Sequence, residues 1–248
     1  METVIIALSI YFFLWFVVLT LIKNAGYIDI AWGLGFVLIA WVAQLTYNHP
    51  IGWVIVALVS MWGLRLAYHI GKRNIGKPED FRYQNFRREW GKNYFVRSIF
   101  QIYLLQGVLM FIVSLSFLEG LSKDHIHTPI LYALGLLLFV IGYGFEVIGD
   151  AQLRAHTSNP SNKGKLMKTG LWSMTRHPNY FGESVLWSGL ALMSLGLNTS
   201  FVPILGALTI TILVRYVSGV PLLETRMKKY EGFEEYAKDV PIFFPKIK

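Results

Sequence analysis

Leu171-Trp172-Ser173-Met174-Thr175-Arg176-His177-Pro178-Asn179-Tyr180-Phe181-Gly182-Glu183 carries a polar, basic loop directly into an apolar stretch, residues 184–197. Proline suits the first position of a helix, where its missing N–H would have had no partner anyway. The stretch therefore predicts a helix that starts at Pro178. Asn179 and Glu183 are four apart and share one face of that helix. An amide and a carboxylate then stand at the mouth of an apolar segment, beside Arg176 and His177. Polar groups are costly there unless something binds them. The plain reading is a helix cap with one ion pair; the sharper one is a ligand site.

The apolar run after Glu183 is one of seven long enough to consider as membrane spans, since about 20 residues cross the hydrocarbon core. They are residues 4–22, 28–47, 51–70, 98–117, 129–148, 180–197 and 201–220. Charged residues make up only 15% of the 248-residue chain, against about 25% in an average soluble domain. The fold class expected is all-α: a polytopic membrane protein with seven transmembrane helices. The first run follows Glu2 rather than a basic leader and lacks a small-residue cleavage site, so it reads as a retained helix and not a signal peptide. We take residues 1–248 as one integral membrane domain, with three spans and a basic segment in 1–97 and four spans and a tail in 98–248.

The cations orient this arrangement. Lys23, the basic residues of 72–97, those of 154–176 and those of the tail from Arg226 fall on one side of the membrane. The other side holds the N-terminus and the short loops 47–50, 119–128 and 198–200, with Lys123 as its single cation. Arg65 and Arg215 lie inside spans, so 20 of the 23 basic residues share one side. That side is cytoplasmic by the positive-inside rule, which puts the N-terminus outside and the C-terminus inside. The net charge of +8 is then topological, and no nucleic-acid partner is indicated. With no cysteine, disulfides, thiolate metal sites and cysteine nucleophiles are excluded.

Polar groups recur at the cytoplasmic ends of the spans. Arg65 and His69 are four apart on the third, Glu146 and Asp150 on the fifth, Asn179 and Glu183 on the sixth. Arg215 lies near the end of the seventh and Asp29 near the start of the second. Five helices with polar groups at one depth suggest a shared pocket opening to the cytoplasm; the alternative is a set of interhelical salt bridges such as Arg65–Glu146. Arg154, Lys163, Lys165, Lys168 and Arg176, joined by Arg226, Lys228 and Lys229, would ring its mouth. Arginine suits bidentate phosphate contacts, so an anionic, nucleotide-like cofactor fits, although inner loops are basic in any case. An apolar remainder would suit a hydrophobic small molecule arriving from the bilayer.

Other motifs fall away. Gly71-Lys72-Arg73-Asn74-Ile75-Gly76-Lys77 imitates a phosphate loop, but Pro78 holds the hydroxyl position and a span precedes it. No Gly-x-Gly-x-x-Gly occurs. His125 and His127 on an outer loop are too few to argue for a metal.

From Arg176 to Glu183 the sequence resembles the C-terminal domain of the steroid 5-alpha-reductase superfamily, and most closely a bacterial branch whose members mostly lack assigned substrates. The resemblance extends through Tyr27-Ile28-Asp29-Ile30-Ala31-Trp32-Gly33-Leu34-Gly35-Phe36, through Arg65, His69 and Arg73 with Glu79-Asp80-Phe81-Arg82-Tyr83, through Phe145-Glu146-Val147-Ile148-Gly149-Asp150, and through Pro221-Leu222-Leu223-Glu224 with Tyr236. It implies a seven-helix enzyme, in a bacterial inner membrane, that binds NADPH on its cytoplasmic side. It implies hydride delivery to a carbon–carbon double bond, usually conjugated to a carbonyl, in a steroid-like or fatty-acyl lipid. By similarity Asp150, Arg154, Asn179, Tyr180, Glu183 and Tyr236 line the cofactor site, Arg176 and His177 stand at its edge, and Arg65, Glu146 and Glu224 join the set.

Hydride addition to an enone pushes negative charge onto the carbonyl oxygen, and a hydrogen-bond donor aimed there stabilises the transition state. Steroid reductases use a Glu and a Tyr. Asp29 is the nearest match to the Glu and would have to be protonated to donate; Tyr68 and Tyr83 are candidates for the Tyr. The Arg-His-Pro core is also similar to that of isoprenylcysteine carboxyl methyltransferases. An S-adenosylmethionine-dependent membrane methyltransferase is therefore the alternative.

Overall fold

The computed structural model describes residues 1–246, and among them the regular structure is entirely helical. The chain divides into two compact units, Met1–His127 and Thr128–Lys248. The division falls in an outer loop of the expected topology.

The first unit holds α1 (Glu2–Leu21), α2 (Ile28–Tyr47), α3 (Gly52–Asn74), α4 (Phe81–Trp90), the short α5 (Tyr94–Ser98) and α6 (Leu105–Leu121). Helices α2 and α3 pack with their backbones in contact. A Cβ added at Gly33 would lie 2.5 Å from the Gly63 carbonyl oxygen, and the reverse holds at Gly63. Membrane helices associate through such small residues because lipid offers no hydrophobic drive between them. Phe36 and Trp62 fill the core beside them, rings 5.6 Å apart and at most 1% exposed. A π-helical turn, Ile99–Leu104, joins α5 to α6.

The second unit holds α7 (Pro129–Ser158), α8 (Pro178–Leu197), α9 (Val202–Ile212), α10 (Val220–Met227) and α11 (Phe233–Asp239). Its axis is the α7–α8 pair. Gly135, Gly142 and Gly149 are seven apart on α7, and so are Gly182, Gly189 and Gly196 on α8. A Cβ at Gly135 would meet the Gly189 carbonyl at 2.6 Å, one at Gly142 the Gly182 carbonyl at 2.5 Å, and one at Gly149 the Pro178 ring at 3.1 Å. The two glycine rows thus form one seam, and its Gly149 end fixes where the Pro178 turn sits.

Among the described residues, six helical segments are long and apolar enough to cross a membrane. Seven were expected, and α8 is the one missing. Its seam and polar residues explain this. Glycines, serines, Asn179 and Glu183 lower its hydropathy, and 12 of its 20 residues are buried. A helix wrapped by protein needs less apolar surface than one facing lipid.

Candidate functional site

In the second unit, the opening motif is held from both sides. Pro178 occupies the first turn of α8 as expected. Ahead of it, the loop is tied to α7: the Leu171 N–H donates to Gln152 Oε1 (3.0 Å), and Trp172 Nε1 donates to the Gly149 carbonyl (3.0 Å). It is also tied to the tail. The Thr175 hydroxyl donates to the Phe243 carbonyl, the Arg176 N–H to Pro241, and the Lys246 N–H to Met174. Tyr236, only 4% exposed, donates its hydroxyl to the Trp172 carbonyl. Burial raises the pKa of that phenol, which keeps it a donor.

Arg176 is buried, with its guanidinium engaged at all three nitrogens. Nε and Nη2 fork onto the two oxygens of Glu224, both at 2.9 Å, and Nη1 donates to the carbonyls of Ala237 and Val240. The expected cation at the pocket mouth is therefore an internal brace, matched to a carboxylate 48 residues away.

His177 is completely buried, and its Nε2 lies 2.7 Å from Glu224 Oε1. A carboxylate already paired with Arg176 accepts, so Nε2 carries the hydrogen. Burial lowers the His177 pKa below the usual histidine value, against the opposing pull of Glu224. The ring is then neutral, and Nδ1 keeps a lone pair. That atom is buried without a hydrogen-bond partner among the described residues.

Asn179 Nδ2 donates to Asp150 Oδ1 at 3.1 Å, which joins the start of α8 to α7 beside Gly149. Glu146 lies one turn back along α7 and is 4% exposed. Tyr180 and Glu183 stand on the first turns of α8, with the Tyr180 ring 6.1 Å from that of His177. Arg154 is exposed near the end of α7.

The first unit has its own charged cluster. Asp80 caps α4, its Oδ1 accepting the Arg82 N–H (3.0 Å) and Arg82 Nε (2.9 Å). This local turn aims the Arg82 Nη2 at Asp29 Oδ2, 2.6 Å away, while the Tyr83 hydroxyl donates to Asp29 Oδ1 at 3.1 Å. Glu79 accepts from Arg87 and from the Ala25 N–H just before α2. The structure thus brings Asp29 and Tyr83 together. Asp29 accepts at both oxygens, from Arg82 and from Tyr83, so the hydroxyl donor of the pair is Tyr83. Tyr68 is 66% exposed on α3 beneath the Lys72 ammonium. Arg65 also lies on α3. Arg82, the residue that fixes Asp29, was not singled out from sequence, although Asp80 two residues earlier is a recognisable cap. Among the described residues no group of three or more His, Cys, Asp or Glu is placed to hold a metal ion.

Comparison with known proteins gives three findings. Residues 15–240 match the family described as "Protein of unknown function (DUF1295)". A 65-residue stretch, 26% of this chain, is 40% identical to "Probable O-methyltransferase ustE" of Ustilaginoidea virens. The match spans under a quarter of that protein's length, 23%. No solved structure matches the chain.

Proposed function

Because the chain belongs to the DUF1295 family, within the steroid 5-alpha-reductase-like superfamily, we propose that it is a membrane-embedded, NADPH-dependent reductase of a carbon–carbon double bond in a lipid-like enone. In this reading α8 crosses as a seventh span, the N-terminus lies outside, and the C-terminus faces the cytoplasm of a bacterial inner membrane.

The residues of the second unit suit such a cofactor. The unpartnered His177 Nδ1 can accept from a ligand N–H or O–H. Asp150, Asn179, Tyr180 and Glu183 would hold the cofactor, with the exposed Arg154 near its phosphates. When bound, NADPH supplies the hydride. The chain supplies the proton and the polarising donor.

The observation that carries the reading is the Tyr83 hydroxyl, 4% exposed and hydrogen-bonded to Asp29. The Arg82–Asp29 ion pair fixes the acceptor, and the acceptor fixes the direction of the phenol proton. A phenol so held can turn its proton to a carbonyl oxygen as negative charge grows there. Methyl transfer to an oxygen has no need for this donor. Replacing Tyr83 by Phe should leave NADPH binding intact and slow reduction about 10²- to 10⁴-fold. Wild-type reduction rates in that variant would remove Tyr83 from the mechanism.

A second reading, an S-adenosylmethionine-dependent methyltransferase, is favoured by one observation: the 40% identity over 65 residues to the probable O-methyltransferase. Thermal unfolding of the purified chain separates the two. A ligand that binds the folded state raises stability by about 2.7 kcal/mol at 100 times its dissociation constant. NADPH should do so; stabilisation by S-adenosylmethionine alone would select the second reading.

A further inference from the structure

Arg215 lies in a π-helical turn, Leu213–Val217, between α9 and α10. Turns of this kind are rare and recur at functional sites. Its guanidinium lies 4.7 Å from the Tyr216 ring centre and 5.9 Å from that of Phe243. Among the described residues it has no hydrogen bond and no ion pair. The contrast within the chain is sharp: Arg82, Arg87 and Arg176 are each matched to a carboxylate. A partly buried guanidinium at the end of an apolar helix, held only against two rings, keeps its N–H donors open to an anion.

Its surroundings place it at the motif. Phe243 accepts the Thr175 hydroxyl at its carbonyl, and its ring lies 6.1 Å from that of Phe181 on the first turn of α8. The π turn closes on the same spot, because a Cβ at Gly219 would lie 3.1 Å from the Tyr180 ring. The positive charge of Arg215 also reaches His177 and opposes its protonation. An unmatched cation and a buried, unpartnered acceptor, His177 Nδ1, thus border one junction. Arg176 is not the matching cation, because its charge is already paired with the Glu224 carboxylate.

We propose that Arg215 anchors the anionic group of this protein's ligand, a phosphate or a carboxylate, while His177 Nδ1 accepts a hydrogen bond from the same ligand. The proposal rests on the reductase reading only where the anion is the cofactor's phosphate; a lipid carboxylate is the other source.

The test uses the full chain in detergent at constant ionic strength. Thermal unfolding is followed against NADPH, inorganic pyrophosphate and palmitate, for the wild type, Arg215→Gln and Arg215→Lys. Folding of each variant is checked by size-exclusion chromatography. At least one anion should stabilise the wild type beyond chloride. Arg215→Gln should need about 10- to 100-fold more of it, as loss of a charge-assisted contact implies. Arg215→Lys should fall between, since it keeps the charge but loses the planar fork; it also serves alone if the glutamine variant does not fold. Unchanged midpoints in both variants, or no anion better than chloride, overturn the proposal. If NADPH binds both variants as it binds the wild type, the reductase reading survives and the anchor does not. If palmitate alone stabilises the wild type and Arg215→Gln removes the effect, the anchor stands and the reductase reading loses its cofactor.

Discussion

At the scale of single residues, His177 shows how the same side chain reads differently in sequence and in space. In sequence it is one of a run of polar groups before an apolar helix. In the structure Glu224, 47 residues later, fixes its hydrogen on Nε2, and burial keeps the ring neutral. A buried histidine with a lowered pKa binds its proton less tightly folded than unfolded. Stability should therefore be full above about pH 6.5, the ordinary histidine value, and fall as the pH drops below it, because only the unfolded chain then gains a proton. Thermal unfolding at about pH 7.5 and about pH 5.5, either side of that value, checks this. The wild type should lose more stability on acidification than His177→Asn; equal losses would remove His177 as the cause. The composition of this cluster was legible from Arg176 to Glu183. Its partners were not, because the fork of Arg176 onto Glu224 and its bonds to Ala237 and Val240 join residues 48 to 64 apart. Nothing periodic connects such positions. Asp29 illustrates the same limit. Its acidity and depth were evident, but whether it donates or accepts depends on Arg82, 53 residues on.

At the scale of elements, the α7–α8 seam decides where the motif sits. Long apolar runs gave away the helices, and Pro129 and Pro178 gave away two of their starts. The seam itself is also in the sequence, as two rows of glycines at intervals of seven. A reading by hydropathy passes over it, because glycine adds little to apolarity while its missing Cβ sets the helix spacing. The π turns at Ile99–Leu104 and Leu213–Val217 had no legible signal, since wide turns depend on what packs around them. The seam makes a sharp prediction. Gly142→Val would drive side-chain atoms into the Gly182 carbonyl, because even a β-carbon at this position would lie only 2.5 Å from that oxygen. It should lower stability by about 1–3 kcal/mol as overpacking does. Gly144→Ala, two residues away with nothing within 4 Å, should be neutral or gain up to about 1 kcal/mol from helix propensity. Thermal melts of the two variants side by side measure the difference; equal melting points would deny the seam its role.

At the scale of the whole molecule, charge distribution and span count lead to a topology. The membrane class was plain from the low charge and the apolar runs, and six segments meet the length and hydropathy of a span. The sequence also reads residues 180–197 as a span, but α8 falls short of that measure because glycines, serines and polar residues dilute its apolar surface and 12 of its 20 residues are buried. The proposed orientation is testable because the chain has no cysteine of its own. Lys123→Cys, on an expected outer loop, should react with a membrane-impermeant maleimide in intact cells. Lys165→Cys should react only after the membrane is opened. The reverse pattern would invert the topology and move the α8 motif to the outer side. The central claim is the chemistry of the site, hydride against methyl transfer, and one measurement addresses it most directly. The protein is purified gently from the membrane, denatured, and the released small molecules are identified by mass spectrometry. A nicotinamide cofactor site predicts NADPH or NADP⁺ in amounts that approach one per chain. S-adenosylmethionine or S-adenosylhomocysteine in that place, with no nicotinamide nucleotide, would contradict it.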